Sequence, residues 1–190
     1  MSHKLKVIVK GKLIDIYVDN MQRPLISQED DKIKTGNVGL RNYGTDATFK
    51  NVRLNGKPLI VDRAVADTHW NAVSGKWAGE NDSIEAAAGR DGKMMYTLPP
   101  ADSDFVFEAD ITVRPGGDAG LIVRGSDVKL ALDGYRGYYI GLSTRESKSD
   151  DAAEPPVSPV TSNEPTEQIE LIPFGSSKLR VSYLPVLKND

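Results

Sequence analysis

Phe105-Val106-Phe107-Glu108-Ala109-Asp110-Ile111-Thr112-Val113 is the stretch that decides the fold. Phe105, Phe107, Ala109, Ile111 and Val113 fall on one side of an extended chain, and Glu108, Asp110 and Thr112 fall on the other. This period of two, carried by β-branched and aromatic residues, marks a half-buried strand. The turn Pro115-Gly116-Gly117-Asp118 leads to a second apolar run, Gly120 to Arg124, and a loop precedes a third, Gly137 to Leu142. Upstream, Leu5, Val7 and Val9 alternate with lysines, and Lys10-Gly11-Lys12 turns the chain into Leu13 to Asp19. Asn37 to Tyr43 and Ala47 to Leu54 repeat the pattern around Gly44 and Thr45, and further strands are predicted over Ser83 to Ala87, Gln168 to Phe174 and Lys178 to Tyr183. No segment carries a helical period. Many short strands with regular turn signals predict an all-β, antiparallel, two-sheet jelly-roll sandwich.

The 190 residues suffice for one large sandwich, with 39% hydrophobic residues to fill a core. The formal net charge is −3, and Lys and Arg are spread along the chain, so the basic stripe that nucleic-acid binding requires is missing. Residues 1–10 alternate apolar and charged side chains, which is neither a signal-peptide core nor a membrane span. Cysteine is absent, which leaves the redox compartment open. Residues 143–167 are rich in Ser, Asp, Glu and Thr, with Pro155, Pro156, Pro159 and Pro165, and read as a mobile loop that buries little apolar area.

Polar and aromatic side chains aimed away from the core are the candidates for binding. Glu108 and Asp110 share an outward face, Arg124 ends its strand and Asp127 follows it. Carboxylates and guanidinium forks suit vicinal hydroxyls, and aromatic faces suit the C–H surface of a sugar. Tyr43, Tyr135, Tyr138 and Tyr139 are the aromatic candidates, with Arg41 beside Tyr43 on one strand face and Arg136 beside Tyr135 in a loop. Alternation sends one of Tyr138 and Tyr139 inward. Glu108 and Arg124 can equally form a cross-strand ion pair, and Trp70 and Trp77 can close the core rather than touch a ligand. His3 and His69 are too few and too separated for a zinc site or a triad.

The segments 107–113, 118–124 and 133–142 resemble the middle of a concanavalin A-like lectin/glucanase domain. They are most similar to the levan-binding module of bacterial levanases (carbohydrate-binding module family 66) and to the 3-keto-disaccharide hydrolase-like domain. Residues 5–11, 16–20, 36–41 and 49–52 resemble the C-terminal half of that family, so the order is inverted. Residues 1–57 match the C-terminal half, 58–67 form a connector and 68–190 match the N-terminal half. A circular permutant, a fragment of a tandem array and a swapped dimer each account for this order, and a single closed sandwich from a permuted chain is the arrangement expected here.

The resemblance implies a sugar-contact region at Glu108, Arg124 and Tyr138, and a non-catalytic module that docks a secreted polysaccharide-degrading enzyme onto a glycan such as a fructan. It also implies an extracellular or cell-surface location, with neighbouring domains in a larger chain as partners. Sandwiches of this class that hydrolyse glycans carry Glu-x-Asp-x-x-Glu on one strand. Here Glu108-Ala109-Asp110 is followed at the third position by Val113, which leaves the pair of acid and nucleophile incomplete. The rival readings are an enzyme that acts on a glycoside or keto-sugar through Glu108 and Asp110, and a structural repeat used for protein contact. No cofactor is expected beyond a structural Ca2+, for which Asp118, Asp127 and Asp133 are the candidate oxygens.

Overall fold

A computed structural model describes residues 1–60, 69–100, 102–130, 134–145, 168–174 and 177–187. Among these, the secondary structure is entirely strand: β1 (Ser2–Lys10), β2 (Leu13–Val18), β3 (Ile26–Glu29), β4 (Asn37–Tyr43), β5 (Ala47–Leu54), β6 (Lys57–Pro58), β7 (Trp70–Ser74), β8 (Trp77–Glu80), β9 (Ser83–Ala86), β10 (Gly92–Tyr96), β11 (Phe105–Val113), β12 (Asp118–Ser126), β13 (Arg136–Ser143), β14 (Gln168–Phe174) and β15 (Ser177–Val186). They form two antiparallel sheets. The first runs β3-β2-β1-β11-β5-β9-β8, with β6 on β5; the second runs β14-β15-β13-β12-β4-β10-β7. The all-β antiparallel sandwich predicted from alternation is the observed architecture.

Alternation sets what faces inward. Leu5, Val7 and Val9 of β1, Ile14 and Ile16 of β2, and Phe107, Ala109 and Ile111 of β11 are buried in one cluster with Leu40, Leu121, Ile140 and Val181 of the second sheet. Strands from the first sixty residues enter both sheets. β1 pairs with β11, with Lys6 opposite Glu108, and β4 lies between β10 and β12, with Leu40 opposite both Met94 and Leu121.

Some details depart from the sequence reading. β3 and β10 were not predicted, because each is short and neither is rich in β-branched residues. Residues 58–60, read as part of a connector, are packed: the Leu59 amide donates to the Val52 carbonyl, and Leu59 and Ile60 are buried. The rest of that connector and residues 146–167 of the predicted mobile loop lie outside the described residues. Trp70 is buried and donates to the Leu59 carbonyl, which is the core-closing role, while half-buried Trp77 packs its ring against Phe49.

Arg124 corrects a geometric expectation. Glu108 belongs to the first sheet and Arg124 to the second, so they form no cross-strand pair. Glu108 instead meets Lys4 at 3.4 Å on the solvated face of the first sheet, where Asp110 accepts a hydrogen bond from Asn51. Arg124 sits at a register shift in β12 with φ of 51°, and this turns its side chain into the sandwich. There its guanidinium is buried and donates to the carbonyls of Ile33, Gly11 and Ser103, tying three loops together. Tyr138 also points inward, in phase with Ile140 and Leu142. Its hydroxyl donates to Asp30 at 2.7 Å and accepts from the Ile33 amide, and Tyr183 donates to the other Asp30 oxygen at 3.3 Å. The stacked rings of Tyr138 and Tyr183 cover this carboxylate.

Candidate functional site

The face of the second sheet turned away from the core gathers the remaining chemistry. One row crosses the strands: Lys93 of β10 lies opposite Arg41 of β4, Arg41 opposite Gly120 of β12, and Gly120 opposite Gly141 of β13. The absent side chains make a floor on which long neighbours lie flat. A Cβ on Gly141 would fall 2.7 Å from the Tyr139 ring, and one on Gly39 would fall 2.3 Å from the Met95 sulfur. Tyr139 therefore folds over Gly141, and Met95, Ile122, Tyr135, Tyr139 and Val186 form an apolar cluster separate from the main core.

Arg41 is the centre of the charged part. Its guanidinium lies 4.8 Å from the centre of the Tyr139 ring and 5.9 Å from that of Tyr135, within cation–π range. Its Nη1 donates to the Tyr135 hydroxyl at 3.4 Å, and its Nε faces Asp91 at 3.6 Å. The other Asp91 oxygen binds the Lys93 ammonium, whose side chain is wholly buried. Tyr139 donates to Asp118 at 3.1 Å, and Arg145 approaches the same carboxylate at 3.7 Å while covering the Tyr43 ring at 4.4 Å. Burial, with the nearby Asp118 carboxylate, pushes the Tyr139 phenol well above its ordinary value, so it remains a neutral donor. The network is closed at Lys93 and Arg41 and opens to solvent at Asp118 and Arg145, whose side chains are 22% and 43% exposed.

Of the residues singled out from sequence, Arg41, Tyr43, Tyr135, Tyr139 and Asp118 meet in this network. Glu108 and Asp110 lie on the other sheet, and Arg124 and Tyr138 lie inside the sandwich. Tyr135, read as a loop residue open to ligand, is wholly buried because Arg41 and the apolar cluster close over it. Arg136 is exposed and donates to the Lys32 carbonyl, and Asp127 is exposed beyond the end of β12. Asp118 and Asp127 stand at opposite ends of that strand, about 30 Å apart along an extended chain, too far to share one ion. Asp133 lies outside the described residues. Among the described residues no three acidic or imidazole groups gather as metal ligands.

Sequence reasoning missed Asp91, Lys93 and Arg145. Which of the two adjacent tyrosines turns inward follows from phase: Tyr139 shares that of Gly137 and Gly141, whereas Tyr138 shares that of Ile140 and Leu142. Asp91 immediately precedes β10 and Lys93 lies within it, a strand too short to stand out, and Arg145 follows β13 in a stretch read as loop.

The fold and this network together define a β-sandwich domain that carries paired, buried charge and aromatic rings on an outward sheet face. No family model matches the chain. It is 41% identical over 143 residues to a levanase of Bacillus subtilis (strain 168), a match that covers 67% of this chain and 20% of that protein. The chain is thus related to part of a levanase, and the match spans about a fifth of that enzyme's length.

Proposed function

We propose that the chain is a non-catalytic carbohydrate-binding module of the levan-binding kind, in permuted order, which holds an attached secreted polysaccharide-degrading enzyme against a fructan. The observation that carries this reading is the Arg41–Asp91–Lys93 set on the outward face of the second sheet. Burying three charges costs several kcal/mol before pairing offsets it, and the sandwich core, on the other side of the sheet, needs none of them. Asp118 and Arg145 offer a charge-assisted acceptor and donor to sugar hydroxyls, and Tyr43 offers ring surface. The likeness to part of a levanase supports a fructan as the glycan. The sugar meets the open end, at Tyr43, Asp118 and Arg145, and the buried charges fix the geometry behind it. A weak site suffices, because tethering supplies the effective concentration.

The placement of Glu108 and Asp110 supports the non-catalytic reading: each is engaged on a solvated face by Lys4 or Asn51, and Val113, at the third motif position, faces the core. Titration calorimetry with levan, inulin, arabinan and galactan tests the proposal. Heat of binding to a fructan, lost in Asp118→Ala, is expected, and silence against all four polymers overturns it. Reducing sugar released by the wild type and abolished by Glu108→Gln would overturn the non-catalytic part.

A further inference from the structure

The outer face of the first sheet carries a trough of about 620 Å³ that takes no part in the network above. Its construction follows from register. Thr112, Thr48, Glu85 and Ala78 lie opposite one another across β11, β5, β9 and β8, on the side away from the core. The next row, Val113, Ala47, Ala86 and Trp77, turns inward and lends the floor its backbone. Beyond it the ladder continues, with the Arg114 amide donating to the Asp46 carbonyl and the Ala87 amide to the Lys76 carbonyl. This brings the exposed side chains of Arg114 and Lys76 to the far wall. Short side chains between long charged ones leave the hollow.

We propose that this trough is a second glycan-contact site, which takes a short run of a hydroxyl-rich polysaccharide chain lying across the strands. The inference rests on reading the domain as a polysaccharide-binding module. Glu85 is held in place by hydroxyl donors, Thr48 at 2.7 Å and Ser83 at 3.4 Å, and as a carboxylate it keeps further acceptor capacity for sugar hydroxyls. Among the described residues neither Lys76 nor Arg114 forms an ion pair, so both remain donors. The three inter-strand spacings crossed add to about 14 Å, long enough for a few sugar rings. A peptide added as a strand has no purchase on this floor, because β11, β5 and β9 are each paired on both sides. The trough and the Arg41 network lie on opposite faces of the sandwich, so one module can hold two chains of a polymer, or two turns of one chain.

Amide NMR titration with levan-derived oligosaccharides, on the wild type and on Asp91→Ala/Lys93→Met, tests this. In the wild type, resonances of Thr48, Glu85 and Thr112 are expected to shift as a set separate from those around Arg41. In the double variant the trough set persists with its affinity within about twofold, while Lys76→Ala/Arg114→Ala weakens that set about tenfold or more through loss of two charged donors. Both of these side chains are exposed, so the fold tolerates their removal. Shifts confined to the second sheet overturn the trough site and leave the proposed function standing. An unmoved spectrum with every fructan tried overturns both, and a trough that responds to extended peptides but to no glycan overturns its assignment to sugar.

Discussion

Tyr138 and Tyr139 are neighbours in sequence and lie on opposite faces of β13, one donating to Asp30 inside the sandwich and the other to Asp118 outside it. Their phenols therefore do different work. Tyr138→Phe takes one of two donors from a buried Asp30 oxygen and the acceptor from the Ile33 amide, and is expected to lower the unfolding free energy by about 1–3 kcal/mol with little change in fructan affinity. Tyr139→Phe removes one donor to Asp118 at the open end of the network and is expected to weaken fructan binding several-fold. Denaturant midpoints and calorimetry on the two variants separate these effects.

Alkaline pH is the second test. The Tyr138 and Tyr183 phenols are pushed up by burial and by the Asp30 carboxylate, and Tyr139 by burial and Asp118. In each case the folded protein holds its proton more tightly than the unfolded chain, whose tyrosines titrate near 10. The folded state binds the excess protons only above that pH. Stability is fully present below pH 10 and falls as pH rises past it, at about 1.4 kcal/mol per pH unit for each retained proton. Unfolding titrations across this range should show the decline, and Tyr183→Phe should lessen its slope. A flat profile to pH 11 would remove the argument.

Asp91 and Lys93 supply a third. Asp91→Ala removes a carboxylate paired with a buried ammonium and is expected to cost about 3–5 kcal/mol. Adding Lys93→Met should recover much of that loss without restoring fructan affinity. Equal losses of stability in the single and double variants would contradict the pairing.

Arg124 gives the fourth. Arg124→Met removes the donor to three carbonyls, from Ile33, Gly11 and Ser103, and is expected to cost about 3 kcal/mol or more. Fructan affinity measured well below the melting point should be unchanged, because the residue does not reach the outer face. A selective loss of affinity at unaltered stability would return Arg124 to the binding site.

The sheets were legible in the sequence because period two is a local property: Phe105 to Val113 states its inner and outer sides without reference to the rest of the chain. The candidate site was legible only in part. Arg41 and Tyr43 could be assigned to one face, but their meeting with Asp91, Lys93 and Tyr139 depends on which strands become neighbours, and residues fifty to a hundred positions apart carry no mark of that. Arg124 was misplaced for a different reason. A register shift and a positive φ at one position break the alternation used to read it, and this backbone irregularity has no counterpart in hydrophobic pattern.

The placement of β1 beside β11 and of β4 between β10 and β12 bears on how the molecule comes to exist. During synthesis β1 is made about a hundred residues before the strand that completes it, so the early segment must wait, its apolar side uncovered, until most of the chain has been translated. Closing such distant pairings is slow, and a waiting strand is open to wrong partners. Lys4, Lys6 and Lys10 along β1 supply the charge that keeps such a strand from sticking to its own kind in the interval.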